Sequence, residues 1–182
     1  MTCIVGIVDK KSKTVIIGGD SASSGGSNIF VRTDPKVFKN GDFIFGCTSS
    51  WRMMQLLRFS FKQPEIKTED IYEYMCTDFI GEVRRCFAAG GYLQKDDDGQ
   101  ERGGFFLVGY KNRLFRVEGD FQVGENLNGT DAVGCGDNFA LGALYSLLKT
   151  DYSAEEKALK ALEAAEFLAL GVRRPFTLMR TL

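Results

Sequence analysis

Paired apolar runs rich in β-branched residues open the chain and give way to three-and-four periodicity, and then both patterns occur again; this order constrains the fold most. Residues 2–8 and 14–19 are the first pair, with the polar Asp-Lys-Lys-Ser-Lys between them as a hairpin loop. A polar stretch, SASSGGSN, follows as a loop, and short apolar runs at 29–31, 37–38 and 43–46 complete a β-rich first quarter.

From Ser49 or Ser50 the period changes. Trp51, Met54 and Leu57, with the neighbouring Met53 and Leu56, recur at three and four and suit an amphipathic helix capped by a serine. Thr68-Glu69-Asp70 begins a longer helix, with Tyr72, Cys76, Phe79, Val83 and Phe87 as its stripe and Gly90-Gly91 as its stop. KDDDGQERGG reads as an exposed loop. Residues 105–110 and 113–117 then form a second hairpin, and 130–133 a further strand. Asp137 caps a helix carrying Phe139, Ala143, Leu144 and Leu147, and Ser153 with Glu156 makes a capping box for the last helix, ahead of a strand at 176–179. Strands, a helix pair, strands, a helix pair and a strand imply an α+β fold, a four-layer αββα sandwich of two antiparallel sheets. At 182 residues the expectation is one domain spanning 1–182.

Composition removes several chemistries. Lys and Arg total 23 against 24 Asp and Glu, so bulk charge gives no reason to expect nucleic acid or an anionic membrane as a partner. Histidine is absent, which excludes Ser-His-Asp and Cys-His catalysis and the commonest transition-metal ligand. Five scattered cysteines fit neither a disulfide framework nor a zinc knuckle and read as reduced, with Cys3 a core thiol. No cofactor or metal is expected. The apolar run after Cys3 is too short for a signal segment and is followed by Lys10, Lys11 and Lys13, and no stretch is long enough to span a membrane; the expected location is cytoplasmic.

Without histidine, another base is needed. Thr2 supplies one if Met1 is removed: its α-amine, with an ordinary pKa of about 7.7–8.0, can take a proton from its own hydroxyl. An edge-strand threonine with no chemistry is the competing reading.

Several stretches, in this order, resemble the proteasome β-subunits and HslV-type bacterial peptidases, which are N-terminal-nucleophile hydrolases. They are Thr2-Cys3-Ile4-Val5-Gly6, IIGGD ending at Asp20, PKV with Lys36, GFFLVGYKNRLFRVEGDF, and AVGCGDNFALGAL. The resemblance implies a threonine endopeptidase with Thr2 as nucleophile, Asp20 as the carboxylate that holds the lysine, and Lys36 as the cation beside the nucleophile. Cys135 stands where the family has a serine, a thiol being the weaker hydrogen-bond partner. Ser49 stands about where a glycine supplies its backbone N–H to the oxyanion. The segment LGVRRPFTLM lacks the aspartate and serine of the proteasome branch.

Implied partners are a peptide or unfolded-protein substrate, further copies of the chain in a homo-oligomeric ring, and an ATP-dependent unfoldase where one exists. Trp51, Phe59 and Phe61 are expected on a surface too apolar to stand alone. The alternative function is a catalytically inactive or unprocessed structural or assembly protein of the same fold. A small-molecule amidase of the same superfamily is a third.

Overall fold

The structure is a computed structural model that describes residues 4–20, 22–25, 28–31, 33–127, 130–133, 153, 156 and 176–180. β1 (Ile4–Asp9) and β2 (Thr14–Asp20) form the opening hairpin. Its turn is tightened by Asp9, whose carboxylate accepts from the Lys11 N–H at 3.0 Å and the Ser12 hydroxyl at 2.6 Å. β3 (Ala22–Gly25) pairs with β4 (Asn28–Val31), and β5 (Val37–Asn40) with β6 (Phe43–Cys47).

The helices come next: α1 (Trp51–Phe59), then α2 (Ile71–Tyr74), a π turn (Met75–Phe79) and α3 (Ile80–Ala89) as one continuous rod. Ser50 caps α1, accepting from the Arg52 and Met53 N–H groups, and Asp70 caps α2, accepting from the Tyr72 and Glu73 N–H groups. Thr68 supports that cap by accepting from the Asp70 N–H at 3.2 Å and donating to Glu73 at 2.8 Å. The remaining strands are β7 (Gln94–Lys95), β8 (Glu101–Arg102), β9 (Phe106–Tyr110), β10 (Arg113–Val117), β11 (Val123–Glu125), β12 (Thr130–Val133) and β13 (Phe176–Arg180).

Among the described residues the two larger antiparallel sheets are ordered β12-β1-β2-β13 and β11-β10-β9-β6-β5. Alternation along the second sheet sorts its side chains by type. Phe43, Phe45, Phe106, Val108, Tyr110, Phe115 and Val117 face the helices, joining Phe61, Tyr74, Phe79 and Phe87 in the larger core. Ile44, Leu107 and Leu114 face the first sheet and meet Ile4, Val15 and Ile17. The rings interlock: Phe43 stacks on Tyr110 at 4.3 Å, and Phe61 lies edge-on to Phe43 at 5.9 Å.

The expected α+β arrangement of two face-to-face antiparallel sheets with helices outside is observed. The helix from Asp137 lies outside the described residues. Of the last helix, the capping box is seen: the Glu156 carboxylate accepts from the Ser153 N–H at 2.7 Å, and the Ser153 hydroxyl from the Glu156 N–H at 3.2 Å.

Three details differ from the sequence reading. SASSGGSN and KDDDGQERGG each take part in a small hairpin, β3–β4 and β7–β8, because backbone pairing needs no apolar side chains. Phe61 is buried in the larger core rather than on the surface; Phe59 stays 66% exposed beneath the Arg58 guanidinium, and Trp51 is half-buried. The short strand β11 had no apolar run to announce it.

Candidate active site

Strand direction brings Asp20, Lys36 and Ser49 to one end of the sandwich. Ile4 pairs with Gly19 on β2 and with Val133 on β12, and Asp20 pairs with Phe176. In the facing sheet, Val37 pairs with Gly46, and Cys47 with Phe106. The sheets touch here. A Cβ on Gly46 would lie 2.5 Å from Ile4 Cγ2 and 2.6 Å from Ile17 Cγ2, so the glycine lets β6 close directly onto β1 and β2. The beginning of β1, the ends of β2, β6 and β12, and the residue before β5 thus share one edge.

Lys36 is that residue before β5. Its carbonyl accepts the Cys47 N–H at 2.9 Å, locking it to the end of β6, and the residue is only 2% exposed. A solvated surface lysine is excluded. Taking an ammonium out of water costs several kcal/mol without anionic or hydrogen-bonding partners, so a lysine held there points to a charged or polar function at this edge. Asp20, the residue expected to face it, ends β2 at the same edge.

Ser49 lies in the turn between β6 and α1, with a left-handed backbone at φ 56°. Its hydroxyl accepts the Phe105 N–H at 3.1 Å. Thr48, 5% exposed, donates from its backbone and its hydroxyl to the Phe105 carbonyl, at 3.2 and 3.0 Å. Phe105 itself is 43% exposed and lines an open polar groove of about 520 Å³ with Arg102, Arg116, Glu118, Gln122 and Asp131. Arg116 there meets Glu118 at 2.5 Å and Asp131 at 3.6 Å.

Cys47 sits behind this edge. Complete burial pushes its thiol well above the ordinary 9.0, so it stays protonated and is no competing nucleophile. Cys86 is raised as well, chiefly by desolvation, and Cys47, Cys76 and Cys86 are all free thiols. Thr2, Cys3 and Cys135 lie outside the described residues. Among the described residues no helix is long and apolar enough to cross a membrane, and no group of three potential metal ligands gathers.

Sequence reasoning missed Thr48 and Phe105. Their link spans 57 positions in the chain, and neither residue type signals it.

No protein-family model matches the chain. Among solved structures it is similar to Thiobacillus denitrificans BPH in complex with epoxomicin, at 19% identity and a TM-score of 0.78, over 98% of this chain and 97% of that one. The eukaryotic HslV from Trypanosoma brucei aligns at 17% identity and a TM-score of 0.66, over 98% of both chains. The Anbu complex of Pseudomonas aeruginosa, solved as a helical assembly, aligns at 14% identity and a TM-score of 0.63, over 99% of this chain and 80% of that one. Likeness at such identities establishes architecture: the chain has the fold of the HslV-like, proteasome-type proteins.

Proposed function

We propose that the protein is a threonine peptidase subunit that cleaves peptide bonds through an acyl-enzyme on Thr2. The observation that carries this reading is the buried Lys36 at the edge where β1 begins and β2 ends. Met1 is removed, and the Thr2 α-amine takes the proton of the Thr2 hydroxyl as its oxygen attacks the substrate carbonyl. The Lys36 ammonium, held by Asp20, favours the neutral amine and the developing negative charge. The Ser49 N–H donates to the oxyanion. Cys135 assists more weakly than the hydroxyl it replaces. Collapse expels the amine product, which takes that proton from the α-ammonium, and water then hydrolyses the threonine ester with the freed α-amine as base, returning the hydroxyl to Thr2.

A fold shared with HslV and BPH supports the peptidase reading, and the assembly of Anbu supports self-association. The subunit works within a homo-oligomeric ring on unfolded polypeptide, and an ATP-dependent unfoldase is the natural source of that substrate.

The test is turnover of fluorogenic peptides by protein whose N-terminus is confirmed as Thr2. Thr2→Ala should abolish hydrolysis while leaving the circular dichroism spectrum unchanged. Hydrolysis that persists in Thr2→Ala overturns the assignment.

A further inference from the structure

We infer that Ser49 is a positioning residue, whose hydroxyl pins the β6–α1 turn to Phe105 and so keeps the Ser49 N–H available to an oxyanion. This rests on the peptidase reading above.

Register shows why a pin is needed. The β6–β9 ladder ends at Cys47 and Phe106, and beyond it the chain must turn away into α1. At φ 56°, Ser49 is in the left-handed region that disfavours side-chain-bearing residues, so something must hold it there. Its own side chain does. Ser49 Oγ takes the Phe105 N–H at 3.1 Å, while Thr48 occupies the Phe105 carbonyl twice. Both backbone groups of Phe105 are therefore bound by two adjacent residues of the turn.

Gly104 leaves the space for this arrangement. A Cβ there would lie 3.0 Å from Ser49 Cβ, 3.2 Å from Ser49 Oγ and 2.6 Å from Met53 Sδ. The turn's donors are then divided unequally: the Thr48 N–H goes to the Phe105 carbonyl and the Ser50 N–H to the Thr48 carbonyl at 2.7 Å. Among the described residues, the Ser49 N–H has no acceptor. A pinned turn with one uncommitted N–H, at the edge shared with Lys36, is a pre-oriented donor.

Ser49→Gly and Ser49→Ala separate pinning from mere tolerance of the left-handed backbone. Glycine relieves the backbone penalty, so a purely conformational role leaves Ser49→Gly as active as the parent. Pinning predicts instead that both variants lose about 10-fold or more in kcat with KM little changed, since a misaligned donor weakens only the transition state. Hydrogen exchange adds a readout independent of turnover: the Phe105 amide should exchange faster in both variants, while the Val108 amide keeps its parental rate. A parent without Thr2-dependent turnover overturns the peptidase and this inference together. An active parent with parental kcat in Ser49→Gly, or unchanged exchange at Phe105, overturns the inference alone.

Discussion

Lys36 is the residue on which the proposed chemistry turns, and its burial makes a sharp prediction. Lys36→Met preserves the aliphatic stem and removes the charge, so the protein should fold while turnover falls by about 100-fold or more. Comparable peptide hydrolysis in a folded Lys36→Met variant would show that the ammonium serves only structure. Lys36 was picked out in the sequence because the PKV stretch resembles a family motif, and its burial was not visible there. The pinning of Ser49 was not, since it depends on a left-handed backbone and a partner far along the chain.

The buried acids give a second test at this scale. Desolvation raises the thiols of Cys47 and Cys86 and the phenols of Tyr74 and Tyr110, so the folded state holds these protons more tightly than the unfolded chain does. Their contribution is fully present below the ordinary values of 9.0 for a thiol and 10.0 for a phenol, and is lost as pH rises through the raised folded values. The urea midpoint should therefore fall progressively above about pH 9. A midpoint that is flat or rising there would contradict this protonation pattern.

At the scale of elements, close approach of the sheets decides where glycine is required. Gly46→Ala forces a methyl against the branched Ile4 and Ile17, both fully buried, and should destabilise by about 1–3 kcal/mol in urea unfolding. An unchanged midpoint would mean that the sheets part more easily than their packing implies. Ser50→Ala removes the acceptor at the start of α1 and should cost about 1 kcal/mol by the same measurement. The cap and α1 were readable because they depend on neighbours within one turn. β11 and the polar hairpins were not, since their pairing is set by backbone geometry across strands and leaves little trace in apolar pattern.

In the whole molecule, the second sheet divides an aromatic face toward the helices from an aliphatic and glycine face toward the first sheet. The alternation was visible as strands, and the order of strands and helix pairs was enough to give the layering. Which ring meets which was not visible, because those contacts join residues far apart in sequence. Exposed Phe59, with the half-buried Trp51 on the same helix, remains the apolar feature for which we propose subunit contacts. Sedimentation at micromolar concentration should give a particle several times the size of one chain; a stable monomer would count against a ring.

The claim that joins these scales is that the protein cleaves peptide bonds with its own N-terminal threonine. Rapid-quench intact mass spectrometry of the protein with an activated peptide ester tests it most directly. The parent should lack Met1 and gain one acyl group, mapped by digestion to the fragment beginning at Thr2, with no such adduct in Thr2→Ala. Turnover with Met1 retained, or an acyl group on any other residue, would contradict it.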